Sequence, residues 1–317
     1  MVTKKFLYWL SLLSFIFTSF IGCESFNKNV RTERTPIVIE DPKNPIDPNT
    51  NQPVIKDSSF ASSSAPKLGV ILGGGGVLTY AHIGLLHELH KNKVNVHSIV
   101  GIEWGALVAA TYSKTGRAHE VEWQLLKLPH AKFSQKGVFT DGIGGVPVDR
   151  FDDFINSVFK KSRIESSKIP FACPYLNLGR SKSQMSTKGF YKNVIKACWP
   201  HPPQFKVNSV AADLMGVEKA VTFLRNQGAE LILYVDVVGN NLLIPSDRRK
   251  KDPKATMMWM QAQKSSTQIR SLGVNEVLSL PLSGANLTSY ESMRMMVRMG
   301  QMKSSGFVKQ FVKKYGY

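Results

Sequence analysis

The sequence predicts an α/β fold with a mainly parallel central sheet, and two observations carry that prediction. Between Leu68 and Thr111, two short apolar strands each run into a glycine turn and then into a helical pattern, which is the order of consecutive β-turn-α units. Strands and helices then continue to alternate to the end of the chain. The 250 or so residues of 67–317 suit one domain with a full core.

The first turn follows the strand Leu68–Leu72 and consists of glycine alone. Glycine has no Cβ, and a helix N-terminus leaves backbone N–H groups unpaired, so such a turn can bring donors close to an anion. The next helix, expected over Ala81–His90, has its apolar residues on one side. We interpret the turn as an oxyanion or anion loop formed by Gly73, Gly74, Gly75 and Gly76.

The second turn has the frame of a nucleophile elbow, Gly-x-Ser-x-Gly. Gly101 and Gly105 flank its centre and allow the tight turn that holds the central side chain above the sheet. The central residue is Glu103 instead of a serine.

These motifs together resemble the patatin-like phospholipases, serine acyl hydrolases with a Ser–Asp dyad. The glycine turn, the His82-Ile-Gly of the next helix and the elbow come in the order found in that family. Further along, 195–205 is similar to the family's Ala-Ser-x-x-x-Pro-x-x-Phe stretch, and 228–237 to its Gly-Ala-Asp plus strand. The resemblance covers roughly 67–317 and implies a three-layer α/β/α sandwich with a mainly parallel sheet.

The chain departs from the family pattern at three chemical positions. Glu103 stands at the nucleophile serine, and Leu78-Thr79 replace the Arg-Gly after the glycine turn. Asp213 lies at the dyad aspartate but is followed by Leu214-Met215 instead of Gly-Gly. The glycines that shape both turns remain, so the resemblance implies a patatin-like fold whose ordinary hydrolytic chemistry has been lost.

Residues 1–22 have the pattern of a secretory signal. Lys4 and Lys5 precede an apolar run from Phe6 to Ile21, and Gly22-Cys23 follow. The cysteine resembles that of a bacterial lipobox, which would be acylated and would anchor the chain to membrane lipid. An uncleaved membrane anchor is the alternative. Glu24 is not the aspartate that retains lipoproteins at the inner membrane, which favours the outer membrane.

Residues 23–66 are rich in Pro, Asn and Ser without periodicity, so we interpret them as a flexible tether.

In 67–317, Asp141-Gly142 lies only 38 residues after Glu103, too close for the dyad motif, and is interpreted as a turn. The other expected strands are Ile169–Leu178, Leu231–Val238 and Glu276–Pro281, and the other expected helices are Ala118–Leu128, Val148–Phe159, Glu218–Asn226 and Tyr290–Tyr315.

Two cysteines remain beyond Cys23, namely Cys173 and Cys198. A disulfide between them is compatible with an exported protein but cannot be assigned from sequence. Neither has the spacing of a metal site, and Cys198 lacks the recognisable base that a nucleophile needs. We expect no metal and no cofactor.

The chain is strongly basic, with 41 Lys and Arg against 23 Asp and Glu, or 39 against 23 without Lys4 and Lys5. Such a charge would attract the domain to anionic lipid headgroups, although a solvated basic surface explains it equally well. No nucleic-acid-binding motif accompanies the charge, so we do not expect a nucleic-acid partner. The sequence identifies no protein partner.

Glu103 carries the functional hypothesis. Its carboxylate is long enough to reach the turn at Gly74–Gly76, so we expect it to occupy the anion pocket, with Trp104 filling part of the acyl groove. If Asp213 faced it, one of the two carboxylates would have a raised pKa. His82 is expected to make a helix-packing hydrogen bond; proton transfer is the alternative.

Two functions follow. The first is a tethered, catalytically inactive pseudo-hydrolase that binds lipid, an acyl chain or a protein partner, or has a structural role, at the outer membrane. The alternative is an active lipid acyl hydrolase in which Glu103, with Asp213, serves as a nucleophile or general base.

Overall fold

The computed structural model describes residues 65–133, 145–238, 260, 269–282 and 290–317. All of them lie in the unit Ala61–Tyr317. The strands are β1 (Leu68–Leu72), β2 (Val96–Gly101), β3 (Val146–Pro147), β4 (Phe171–Asn177), β5 (Lys182–Ser186), β6 (Phe205–Lys206), β7 (Val210–Ala212), β8 (Leu231–Asp236) and β9 (Glu276–Ser279). The helices are α1 (Tyr80–Lys91), α2 (Trp104–Thr115), α3 (Ala118–Leu125), α4 (Asp152–Phe159), α5 (Tyr191–Cys198), α6 (Val217–Asn226) and α7 (Met293–Tyr315).

The central sheet has the strand order β5-β4-β2-β1-β8-β9. The four pairings from β4 through β2, β1 and β8 to β9 are parallel. At the other end, β5 and β7 both pair antiparallel with β4. The parallel strands bring the ends of β1 and β2 to one edge of the sheet, where the two glycine turns lie side by side.

Both faces of the sheet are covered by helices, as the three-layer α/β/α prediction requires. Successive side chains of β1 alternate between the two faces, and Val70 and Leu72 pack into the larger core with α1, α2 and α7. Ile71 points to the opposite face and packs in a second core with Leu224 of α6. A strand buried on both faces needs apolar residues throughout, which explains its continuous apolar sequence.

Helices α1 and α7 cross in close backbone contact. A Cβ on Gly84 would lie 2.2 Å from the backbone nitrogen of Gln301, and a Cβ on Gly300 would lie 2.0 Å from the carbonyl oxygen of Ala81. The two backbones therefore touch, and only glycine fits at the contact. The methionines of α7 that face this layer, Met293 and Met296, are buried, as core packing predicts.

The structure differs from the sequence expectations mainly at element ends and short strands. Helix α3 ends at Leu125 because a turn follows, three residues before the expected end. The helix expected from Val148 begins as a 3-10 turn and becomes α-helical at Asp152. Periodicity did not predict α5 or the short strands β3, β5, β6 and β7.

Several predictions lie outside the described residues: the signal segment 1–22, acylated Cys23, the tether up to residue 64, and the turn at Asp141-Gly142. Within the described ranges, no helix combines the length and the apolar character that a membrane crossing needs.

Candidate active site

The elbow between β2 and α2 holds Glu103 in a strained backbone conformation. Its φ is 55° and its ψ is −123°, which a non-glycine residue rarely adopts. A Cβ on Gly101 would lie 2.3 Å from the carbonyl oxygen of Gly105, and a Cβ on Gly105 would lie 2.4 Å from that of Leu72. The two glycines therefore make the turn possible, and the turn lifts the Glu103 side chain above the sheet.

The glycine turn after β1 lies beside the elbow and is held at its first residue, Gly73. The backbone N–H of Gly73 donates to the carbonyl of Val235 on β8 at 3.0 Å. The carbonyl of Gly73 accepts a hydrogen bond from Nε2 of His82 at 2.9 Å. Gly75 and Gly76 both have positive φ angles, 151° and 56°, which glycine adopts without steric cost.

The Glu103 carboxylate reaches this turn. Its Oε2 accepts a hydrogen bond from the backbone N–H of Gly75 at 2.8 Å and from that of Gly76 at 3.1 Å. Its Oε1 is buried and has no hydrogen-bond partner among the described residues. The residue is 2% exposed. A carboxylate of the protein thus binds the backbone donors that the glycine turn was expected to offer to an anion.

Burial raises the pKa of Glu103 to about 7, because a carboxylate removed from water loses its hydration. The backbone N–H groups of Gly75, Trp104 and Gly76 favour the ionised form and oppose this shift. The carboxyl group therefore changes its protonation state near neutral pH.

Asp213 is buried at the dyad position, and its carboxylate accepts hydrogen bonds from Ser183 and Met215, neither of which belongs to the elbow. Its Oδ2 accepts a hydrogen bond from the hydroxyl of Ser183 on β5, and its Oδ1 accepts one from the backbone N–H of Met215 at 2.9 Å. The causes of the raised pKa of Glu103 do not include Asp213. The contact with Ser183 was not predicted, because no motif in the short strand β5 distinguishes this serine.

Leu214 packs against the glycine turn. A Cβ on Gly74 would lie 3.0 Å from Cδ2 of Leu214 and 3.1 Å from Oε2 of Glu103. A leucine side chain and a glutamate side chain thus fill the space next to Gly74.

Trp104 begins α2 and lies in a buried aromatic cluster. Its ring centroid is 5.2 Å from that of Trp199 and 5.6 Å from that of Phe133, and Phe151 and Phe205 complete the cluster. Its Nε1 donates to Oε1 of Gln204 at 2.7 Å. The indole is therefore fixed by ring packing and by the hydrogen bond to Gln204, a contact that no motif predicts because the two residues are 100 positions apart.

His82 is fully buried, and burial lowers its pKa to about 4. The ring is therefore neutral at physiological pH, with the proton on Nε2 donated to the carbonyl of Gly73. The sequence predicted a packing hydrogen bond for His82, and the structure shows one. It holds the carbonyl of Gly73, the first residue of the glycine turn.

Cys173 and Cys198 form a disulfide with a Cα–Cα distance of 6.0 Å. It joins β4 to the last residue of α5, directly before Trp199 of the aromatic cluster. A bonded Cys198 has no thiolate to act as a nucleophile. Among the described residues, no group of three His, Cys, Asp or Glu side chains could hold a metal ion.

The chain is similar to several known proteins. A family model described as patatin-like phospholipase matches residues 70–236, from β1 to the end of β8. Lysophospholipase NTE1 of Pyricularia oryzae is 24% identical over 192 residues, which are 54% of this chain and 12% of the fungal protein. An uncharacterized NTE family protein of Mycobacterium tuberculosis is 24% identical over 218 residues, covering 65% of this chain and 58% of that protein.

The crystal structure of VipD from Legionella pneumophila aligns with a TM-score of 0.46 and 9% identity, covering 80% of this chain and 67% of that one. The chain spans a small part of the fungal relative and less than two thirds of the mycobacterial one. The family model covers more than half of the chain, including both glycine turns. This protein is a member of the patatin-like phospholipase family.

Proposed function

We propose that this protein is a membrane-tethered lipoprotein of patatin-like fold that has lost hydrolytic activity and binds a lipid, an acyl chain or a protein partner at the outer membrane. Family membership and the lysophospholipase relatives support a lipid as the ligand class. Acylated Cys23 would hold the domain at the membrane. The Cys173–Cys198 disulfide supports export, because disulfides persist in oxidising compartments.

The observation that carries the proposal is the pair of hydrogen bonds from Gly75 and Gly76 to the Glu103 carboxylate. In acyl transfer, backbone donors of this kind stabilise the oxyanion of the tetrahedral intermediate. Here a side chain of the protein already occupies them, so they are not free to bind an oxyanion. The residue at the centre of the elbow carries no hydroxyl that could attack an ester.

The surroundings of Glu103 agree with loss of the dyad chemistry. Leu214 lies against Gly74, where the family's glycine would leave space. Asp213 accepts hydrogen bonds from Ser183 and from the backbone of Met215. Its carboxylate thus stabilises β5 and the turn before α6.

The alternative is an active acyl hydrolase in which Glu103 is the general base for water. A pKa of about 7 suits a base at neutral pH, and Oε1, which has no partner among the described residues, could accept a proton from a water molecule. This alternative is weaker because the same carboxylate blocks the donors that the oxyanion would need.

Ester hydrolysis by the purified full chain separates the two functions. On short-chain esters and phospholipids we expect no turnover by the parent and gain of turnover by the double variant Glu103→Ser/Ser183→Ala. The second substitution releases Asp213 for a serine at the elbow, so the double variant should exceed Glu103→Ser alone. General-base assistance of this kind contributes about 10²–10⁴-fold.

Parent turnover that disappears in Glu103→Gln would overturn the proposal and assign Glu103 as a general base. The tether is tested separately by metabolic labelling with palmitate. The parent should be labelled and found in the membrane fraction, and Cys23→Ala should not be labelled. A parent without label would contradict the lipoprotein assignment and leave the hydrolysis result unaffected.

A further inference from the structure

A groove of about 740 Å³ lies between α3 and α7, on the helical layer that covers one face of the sheet. Trp123 and Leu126, in and directly after α3, line it from one side, and Met295 and Val297 of α7 line it from the other. Its lining includes none of the residues of the candidate active site. Large apolar side chains around it are unusually open to solvent: Trp123 is 64% exposed and Met295 is 49% exposed.

The rim of this groove is basic. Arg294 and Arg298 line it from α7, and Lys127 Nζ lies 4.3 Å from the ring centroid of Trp123. The lining carboxylate, Glu122, is paired with His87 at 2.8 Å. Helix α7 carries six Lys or Arg residues over its 23 positions and no Asp or Glu.

The apolar and basic side chains share one face of α7. Met295, Arg298 and Met302 are spaced at i, i+3 and i+7, so they lie along one side of the helix. Met302 is 63% exposed. Exposed Trp and Met between basic side chains suit the boundary of a bilayer, where the apolar groups enter the acyl region and the cations remain among the phosphates.

We propose that the α3–α7 face, formed by Trp123, Met295, Met302, Arg294 and Arg298, docks on an anionic phospholipid bilayer. Charge complementarity selects this occupant, because Arg294 and Arg298 line the groove and α7 contains no acidic residue, so the face is attracted to the phosphate headgroups. The proposal requires neither acylation of Cys23 nor hydrolysis. It fixes the orientation of the domain on the membrane.

The test measures which face contacts the bilayer. The full chain carries an environment-sensitive fluorophore on Met302→Cys, and a matched variant carries it on Lys219→Cys, an exposed position of α6 in the opposite layer. Both are mixed with phosphatidylcholine vesicles that contain or lack phosphatidylglycerol. The parent chain, treated identically, corrects for labelling of Cys23.

With phosphatidylglycerol, we expect the label at 302 to be quenched by spin-labelled acyl chains and the label at 219 to remain unquenched. Arg294→Glu/Arg298→Glu should reduce quenching at 302 to the level at 219, whereas Lys182→Glu/Lys188→Glu, the same charge change at exposed positions in and near β5, should not. Equal quenching at 302 and 219 would overturn the proposal. So would quenching at 302 that is the same with and without phosphatidylglycerol in the vesicles. A shift of the label without lipid that grows with protein concentration would also overturn it, since a second copy would then cover the face.

Discussion

The hydroxyl of Ser183 donates a hydrogen bond to the carboxylate of Asp213, although the two residues lie 30 positions apart. The two carboxylates of the candidate site consequently have separate partners: Asp213 is held by a side chain of β5, and Glu103 by the backbone of the glycine turn. No hydrogen bond links the two carboxylates among the described residues, and each is stabilised by its own donors.

Ser183→Ala should lower the free energy of unfolding by about 1.5–3 kcal/mol, because it removes a donor from a buried carboxylate. Chemical denaturation measures the change, and Ser186→Ala, on the same strand, is the matched control. In the double variant Ser183→Ala/Asp213→Asn the two effects should not add, since both residues belong to one hydrogen bond. Additive losses would show that the two side chains are independent.

Glu103→Gln should change how stability depends on pH. The folded-state pKa of Glu103 is raised to about 7 from 4.5, so the folded protein binds this proton more tightly than the unfolded chain does. The stabilisation is fully present below pH 4.5 and is lost as the pH rises through 7, a loss of about 3 kcal/mol.

The parent minus Glu103→Gln difference in unfolding free energy, measured by denaturation from pH 4.5 to 8, should show this fall. The buried histidines contribute the opposite trend, but they are present in both proteins and cancel. Glu218→Gln, an exposed carboxylate on α6, controls for the loss of one charge. A parent and variant with parallel pH profiles would contradict a raised pKa at Glu103.

Gly84→Ala should destabilise the fold by about 3 kcal/mol, because its Cβ would collide with the backbone of α7 at 2.2 Å. Gly306→Ala, also within a helix, meets no atom within 4 Å and should instead stabilise the fold by about 0.5–1 kcal/mol. Thermal unfolding of the parent and both variants measures the two changes in stability. A similar shift for both would mean that α1 and α7 do not cross at Gly84.

Removal of the disulfide by Cys173→Ala/Cys198→Ala should lower the free energy of unfolding by about 3 kcal/mol, since the bridge joins residues 25 positions apart and closes that loop in the unfolded chain. Reductant should destabilise the parent by a similar amount and leave the double variant unchanged. If reductant destabilised both proteins equally, its effect would not come from this bridge.

Features that depend on local geometry could be derived from the order of the amino acids alone. The spacing of Gly101, Glu103 and Gly105 predicts a tight turn after a strand, and the glycine run after β1 predicts a turn rich in backbone donors. Both follow from the steric freedom of glycine over a few residues, and the structure contains both turns. The parallel sheet followed from the alternation of strands and helices.

Contacts between distant residues required the three-dimensional packing. Three contacts join separate elements, so no periodicity or motif in the chain predicts them: Ser183 with Asp213, Trp104 with Gln204, and Cys173 with Cys198. The same holds for the α1–α7 crossing, where Gly84 and Gly300 each touch the other's helix. Local patterns specify turns and helix faces, whereas these pairings depend on how the faces pack once the sheet has brought them together.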